Sequence, residues 1–134
     1  MDIFLDTNVL LWSLFDRDRI PTSVKELIEN ENNTILYSVA SLWEIEIKHN
    51  KHPELMPYSF KQLYPIIFEN TDYIPESVRT EHLLFLKEII DKNIHSDPFD
   101  HIILASAIYE KAKLITGDKV MGFYKDNVTD VLVI

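Results

Sequence analysis

The chain reads as an α/β protein, a three-layer α/β/α sandwich around a central parallel sheet. Two observations predict this. Short apolar runs with β propensity alternate with stretches of helical spacing, the pattern of βαβ units that put helices on both faces of a sheet. Acidic residues also recur where an apolar run gives way to a polar break or to the opening of a helix, as in Ile3-Phe4-Leu5-Asp6 and Leu114-Ile115-Thr116-Gly117-Asp118. Groups at the carboxyl ends of parallel strands converge on one crevice, so acids placed in this way share a destination.

The elements follow in order. Residues 2–5 form the first strand and run straight into a helix from Thr7 to Phe15. Residues 22–31 carry Val24, Leu27 and Ile28 at helical spacing. Residues 34–37 are a second strand, and a helix from Val39 to Asn50 follows, with Ser38 placed to cap it. Pro53, Pro57, Pro65 and Pro75 punctuate the middle, leaving a helix over 59–69, a short third strand over 72–74 and one or two helices between 76 and 91. Residues 98–112 make the clearest helix, with Asp97 as cap, Pro98 at the first helical position and apolar residues on most of its circumference. Residues 113–116 and 131–134 complete the sheet.

With 134 residues, the chain suits one domain with one core. Hydrophobic residues at 46% and charged residues at 26% are ordinary globular values, which argues against disorder or a repeat array. Only two glycines occur, Gly117 and Gly122, so neither a phosphate-binding Walker loop nor a dinucleotide fingerprint can be written. The absence of cysteine removes disulfides and thiolate chemistry and fits a reducing, cytoplasmic setting. No stretch suggests a signal peptide or a membrane span. The net charge of −9 opposes nucleic-acid binding by broad attraction, although two divalent cations in an acidic site would offset about four units of it.

Each acidic motif has a plain structural account beside a functional one. Asp6 caps the helix that follows it, or it aims into the crevice with Thr7 and Asn8 adding polar contacts. Glu44 completes a capping box from Ser41, pairs with Lys48 one turn on, or stands in the second turn of a helix begun at Ser38, flanked by Leu42, Trp43, Ile45 and Ile47, where it needs a partner. Asp97 is a natural cap, whereas Asp100 lies one turn inside an otherwise buried helix and is the better ligand. His101 is a proton carrier or a polar filler at the helix start. Thr116-Gly117-Asp118 ends a strand in a tight turn. The stretch Lys48-His49-Asn50-Lys51-His52 complements a helix carboxyl terminus or contacts a nucleic-acid backbone through Lys48, His49 and Lys51.

Taken together, acids at matching ends of four elements favour one shared site. Carboxylates about 4 Å apart repel by roughly 4 kcal/mol at an effective dielectric near 20, so such a site calls for a divalent cation with oxygen preference. Two other classes compete. A non-catalytic module that binds partners through the same fold needs no tight metal site. A phospho-acceptor signalling domain needs an acid closing the third strand, and Asp72 precedes that strand.

The order Leu5-Asp6-Thr7-Asn8, Ser41-Leu42-Trp43-Glu44-Ile45, Asp97-Pro98-Phe99-Asp100 and Thr116-Gly117-Asp118 resembles the PIN-domain family, and within it the VapC-type ribonuclease toxins of bacterial type II toxin-antitoxin systems. The resemblance spans essentially the whole chain as a single PIN-like domain, 1–134. It implies a Mg²⁺- or Mn²⁺-dependent endoribonuclease that hydrolyses RNA phosphodiesters. Asp6, Glu44, Asp100 and Asp118 are carried over as catalytic metal ligands, with Asp97 as an auxiliary acid in the metal site and Thr7, Asn8 and Thr116 in support. Asp6 and Asp118 are expected to hold the first ion most firmly. A homodimer and a cognate antitoxin covering the acidic groove are further implications, and an acidic toxin suits a partner segment bearing arginine. Where a neighbouring subgroup carries arginine after the Asp-Pro-Phe-Asp motif, this chain has His101.

Overall fold

The computed structural model describes residues 1–124 and 130–134. Five strands form one sheet: β1 (Asp2–Leu5), β2 (Thr34–Ser38), β3 (Ile74–Glu76), β4 (Lys113–Thr116) and β5 (Val131–Val133). Their spatial order is β3-β2-β1-β4-β5, and all four pairings are parallel. Seven α-helices connect them among the described residues: α1 (Thr7–Phe15), α2 (Thr22–Glu29), α3 (Val39–Lys51), α4 (Phe60–Asn70), α5 (Thr80–Leu83), α6 (Leu86–Asp91) and α7 (Pro98–Glu110).

Side chains alternate across each strand, so consecutive apolar residues serve two cores. Ile3, Leu5, Ile35, Tyr37 and Ile115 pack on one face with Val9 and Leu10 of α1, Val24 of α2, Leu42 and Ile45 of α3, and Leu63 and Ile67 of α4. Phe4, Leu36, Leu114 and Val131 pack on the other, against Ile89 of α6 and Ile103, Leu104, Ala105 and Ala107 of α7. This is the expected three-layer sandwich. A continuous apolar run such as Ile3-Phe4-Leu5 suits a strand buried on both sides.

Caps set the helix starts. Ser38 accepts the amide of Ala40 at 3.0 Å, so α3 begins right after β2 and Ser41 lies inside it. That rules out the capping box from Ser41 and puts Glu44 in the second turn. Ser59 and Gln62 form the capping box of α4 instead, and the helix continues through Pro65.

The third strand lies two residues later than the 72–74 expected, pairing Leu36, Tyr37 and Ser38 with Ile74, Pro75 and Glu76. Proline was read as punctuation there, yet β3 is an edge strand, where a missing N–H costs no inner ladder bond. Helices α2 and α7 stop at Glu29 and Glu110, two residues earlier than their patterns suggested. Among the described residues, no helix is long and apolar enough to cross a membrane.

The chain steps from β1 outward to β2 and β3, then returns to the other side of β1 for β4 and β5. The gap beyond the carboxyl ends of β1 and β4 is therefore the topological switch point, the place where open parallel sheets bind ligands.

Candidate metal centre at the switch point

Asp6 follows β1 directly. Its amide donates to Ile115 O at 3.1 Å, holding the end of β1 against β4. Its carboxylate is buried and already has three donors: the amide of Val9 at 2.8 Å on Oδ1, and on Oδ2 the Thr116 hydroxyl and the amide of Gly117 at 3.3 Å. Asp6 thus caps α1 with one oxygen and turns the other to the end of β4. Burial raises its pKa above the usual range, and the Glu44 charge adds to this, while the Thr116 hydroxyl and the two amides oppose it.

Glu44 comes from α3 and is 8% exposed. Thr7 Oγ1 lies 2.6 Å from Glu44 Oε1 and 2.9 Å from Ser41 Oγ. A hydroxyl has one proton, so the shorter bond takes the donation and Ser41 is left to donate to Thr7. Lys48 Nζ stands 3.2 Å from Glu44 Oε2, the pairing anticipated one helical turn away.

Asp97 accepts the amide of Phe99 at 2.9 Å as cap of α7. Asp100, one turn on, is perturbed as well. Its pKa is pushed up to about 7, first by burial and then by repulsion from Asp97, Glu44, Asp6 and Asp118. The same four neighbours place it at the focus of acids from β1, α3, α7 and the end of β4. Asp118 accepts the amide of Val120 at 2.9 Å, and its own amide donates to Thr116 Oγ1 at 3.0 Å.

Several anticipated contributors form no hydrogen bond or ion pair with these acids among the described residues. Asn8 is exposed on α1 and makes no hydrogen bond to the crevice among the described residues. His49 Nδ1 lies 2.8 Å from Met56 O, which ties it to the turn after α3, and Lys51 is exposed at the end of that helix. Of the basic stretch, Lys48 alone reaches the acids. His101 is buried, and its Nε2–H donates to His95 O at 2.8 Å, so it braces the loop before α7.

Sequence reading missed His95. Its side chain, Asp100 and Asp118 offer ligand atoms within 4.8 Å of one another. Nε2 is buried with no hydrogen-bond partner among the described residues, although Asp100 Oδ2 is 3.3 Å away: close enough to pair, but out of hydrogen-bonding alignment. The only signal in the chain was a polar residue two positions before Asp97. An orphaned imidazole nitrogen beside half-buried carboxylates fits a divalent cation, carboxylate oxygen suiting Mg²⁺ and Mn²⁺ and imidazole the later transition ions.

Gly117 permits the close approach that shapes this corner. A Cβ there would collide with Cη2 of Trp12, whose ring covers the turn. Across the crevice, Trp43 meets Phe99 edge to face at 5.2 Å between centroids.

A doubly wound parallel domain with a carboxylate crevice at its switch point is the class defined by this fold and site. The chain matches the PIN domain over residues 3–125 and belongs to that family. Solved structures with the same fold include VapBC2 from Rickettsia felis bound to a DNA fragment from their promoter, with TM-score 0.70 and 19% identity over 100% of this chain and 99% of that one. DNA-bound VapBC from Salmonella typhimurium gives TM-score 0.70 at 17% identity, over 99% and 98%. VapBC-1 from nontypeable Haemophilus influenzae gives 0.71 at 16%, again over 99% and 98%. No curated protein matches the chain significantly.

Proposed function

We propose that this PIN domain is a Mg²⁺- or Mn²⁺-dependent endoribonuclease, the toxin component of a type II toxin-antitoxin pair. The observation that carries the reading is the convergence of Asp6, Glu44, Asp97 and Asp118 on Asp100, whose pKa is pushed up to about 7 by burial and then by these four charges. A fold with no use for a cation gains nothing from such a concentration of charge. Bound divalent ions supply charge neutralisation and Lewis acidity toward a phosphodiester.

The chain's own residues prepare that role. Asp100 and Asp118 present carboxylate oxygens from two elements fixed by different caps, and Asp6 is held rigid by its three donors. Glu44 is oriented by Thr7 and kept compact by Lys48, whose ammonium also offers a counter-charge to a phosphate at the rim. Trp43, 65% exposed beside the crevice, presents a face on which an unpaired base can stack.

A row of exposed aromatics, Phe60, Tyr64 and Phe68, runs along α4. Surface of this kind marks a protein interface, and it supports both an antitoxin partner and a homodimer in the cytoplasm. A chain of net charge −9 favours a partner segment rich in arginine.

The test is cleavage of single-stranded RNA with Mg²⁺ or Mn²⁺ against a chelated control, for the native chain and for Asp6→Asn and Asp118→Asn. We expect metal-dependent cleavage that falls at least about 100-fold in each variant, in line with loss of a group acting on developing charge. Full activity in both variants, or in the chelator, overturns the reading.

A further inference from the structure

We infer that His95 supplies an imidazole ligand to a divalent ion shared with Asp100 and Asp118, and that this nitrogen biases the site toward transition-series ions over Mg²⁺. The inference rests on the crevice being a divalent-metal site and concerns how this chain builds it.

His95 lies between α6 and α7. Its Nδ1 is 3.2 Å from Tyr124 Oη, and its backbone carbonyl is held by His101. The protonation pattern follows from these partners. If Nε2 carried the proton, a carboxylate oxygen at 3.3 Å would draw the N–H into line, and no such alignment exists. With the proton on Nδ1, donated to Tyr124 Oη, Nε2 turns a lone pair toward Asp100. Two facing lone pairs repel unless the Asp100 proton or a cation lies between them, and a divalent ion that also engages Asp118 takes that proton's place. This is the usual arrangement of a metal-bound histidine, in which the other ring nitrogen donates to an outer partner that fixes the ring.

A second cluster shows the opposite pattern. Glu76, His82 and Glu110 also bring their donor atoms within 4.8 Å, on the far edge of α7. There, however, His82 Nδ1 accepts the amide of Arg79 at 3.1 Å, so Nε2 keeps its proton and faces Glu110 Oε1 at 3.1 Å. The Arg79 guanidinium bonds Glu76 and Glu110 as well. Every donor there has an acceptor, the Arg79 guanidinium neutralises the carboxylates, and no imidazole lone pair is left for a metal. His95 differs in having one.

Imidazole is a poor donor for Mg²⁺, which prefers oxygen and retains water, whereas the Irving–Williams series favours nitrogen-containing sites for later ions. Mn²⁺ is the probe because its unpaired electrons report directly bound nitrogen.

The experiment is pulsed electron paramagnetic resonance of Mn²⁺ on the full chain, with calorimetric titration of Mn²⁺ and Mg²⁺. The native protein should show an imidazole nitrogen coupling that disappears in His95→Gln. Mn²⁺ affinity should fall at least about tenfold in that variant, the scale of a lost donor or its support, while Mg²⁺ affinity changes about twofold or less. Should His95→Gln fold poorly, Tyr124→Phe keeps the imidazole and removes its outer partner; an altered nitrogen coupling with weaker Mn²⁺ binding supports the assignment, and an unchanged coupling and affinity overturns it. Mn²⁺ bound without nitrogen coupling in the native chain, or equal losses for both ions in His95→Gln, refutes His95 ligation and leaves the nuclease reading standing. Failure of the native chain to bind either ion sinks both.

Discussion

Replacing Asp100 by Asn should stabilise the metal-free protein, and the gain should depend on pH in a defined direction. Asp100 has a folded-state pKa of about 7 against an ordinary value of 3.8, because burial and four neighbouring carboxylates penalise its charged form. The folded state therefore binds this proton more tightly than the unfolded chain does. Stability falls as pH rises wherever the native state holds the extra proton, here from about 4 to about 7. At about 1.4 kcal/mol per pH unit, the native chain should lose about 3 kcal/mol from this group between about pH 5 and about pH 8. Asparagine has no charge to expel, so this component should vanish.

The assay is urea unfolding of both proteins in chelator across that range, taking the difference between them at each pH so that groups common to both cancel. Parallel curves would refute the reasoning, since they would mean that Asp100 ionises without resistance from its neighbours. Saturating divalent cation should reverse the order above about pH 7, by mass action on the native state alone.

Three further outcomes follow from the same geometry. Gly117→Ala should cost about 1–3 kcal/mol in urea unfolding, because its Cβ collides with the Trp12 ring and either the ring or the turn must move. Thr7→Val, nearly isosteric, strips Glu44 and Ser41 of their shared partner and should destabilise by about 1–3 kcal/mol, read by the same method; an unchanged midpoint would show that Glu44 finds another donor. Glu110→Leu should cost a similar amount, about 1–3 kcal/mol, by leaving the fully buried His82 Nε2–H without its nearest acceptor.

What could be read from the chain depended on how local each cause was. Ile3-Phe4-Leu5 followed by Asp6, and Leu114-Ile115-Thr116 followed by Gly117, state strand and crevice within a few residues, because burial on both faces leaves no polar position inside the strand. The same holds for α7, whose cap, proline and apolar circumference are contiguous. The register of β3 was not local: it is set by pairing with β2, and residues 72–76 look equally strand-like in isolation. Helices α5 and α6 span 80–83 and 86–91 and are too short for a periodic signal. His95 and His82 were missed for a related reason. A lone histidine in a loop or short helix has no pattern, and its role comes wholly from which groups the fold brings to its two nitrogens.

Asp6 couples two jobs that an engineer would prefer to separate. Silencing the chain at position 6 would also unfasten the first turn of α1 and the seam between β1 and β4, so a dead variant made there is a loosened one. Asp100 fastens nothing, since its carboxylate accepts no hydrogen bond among the described residues, and its substitution should leave the scaffold tighter than before. On the proposed function, an inert decoy for trapping an uncut RNA or a partner is therefore best made at position 100.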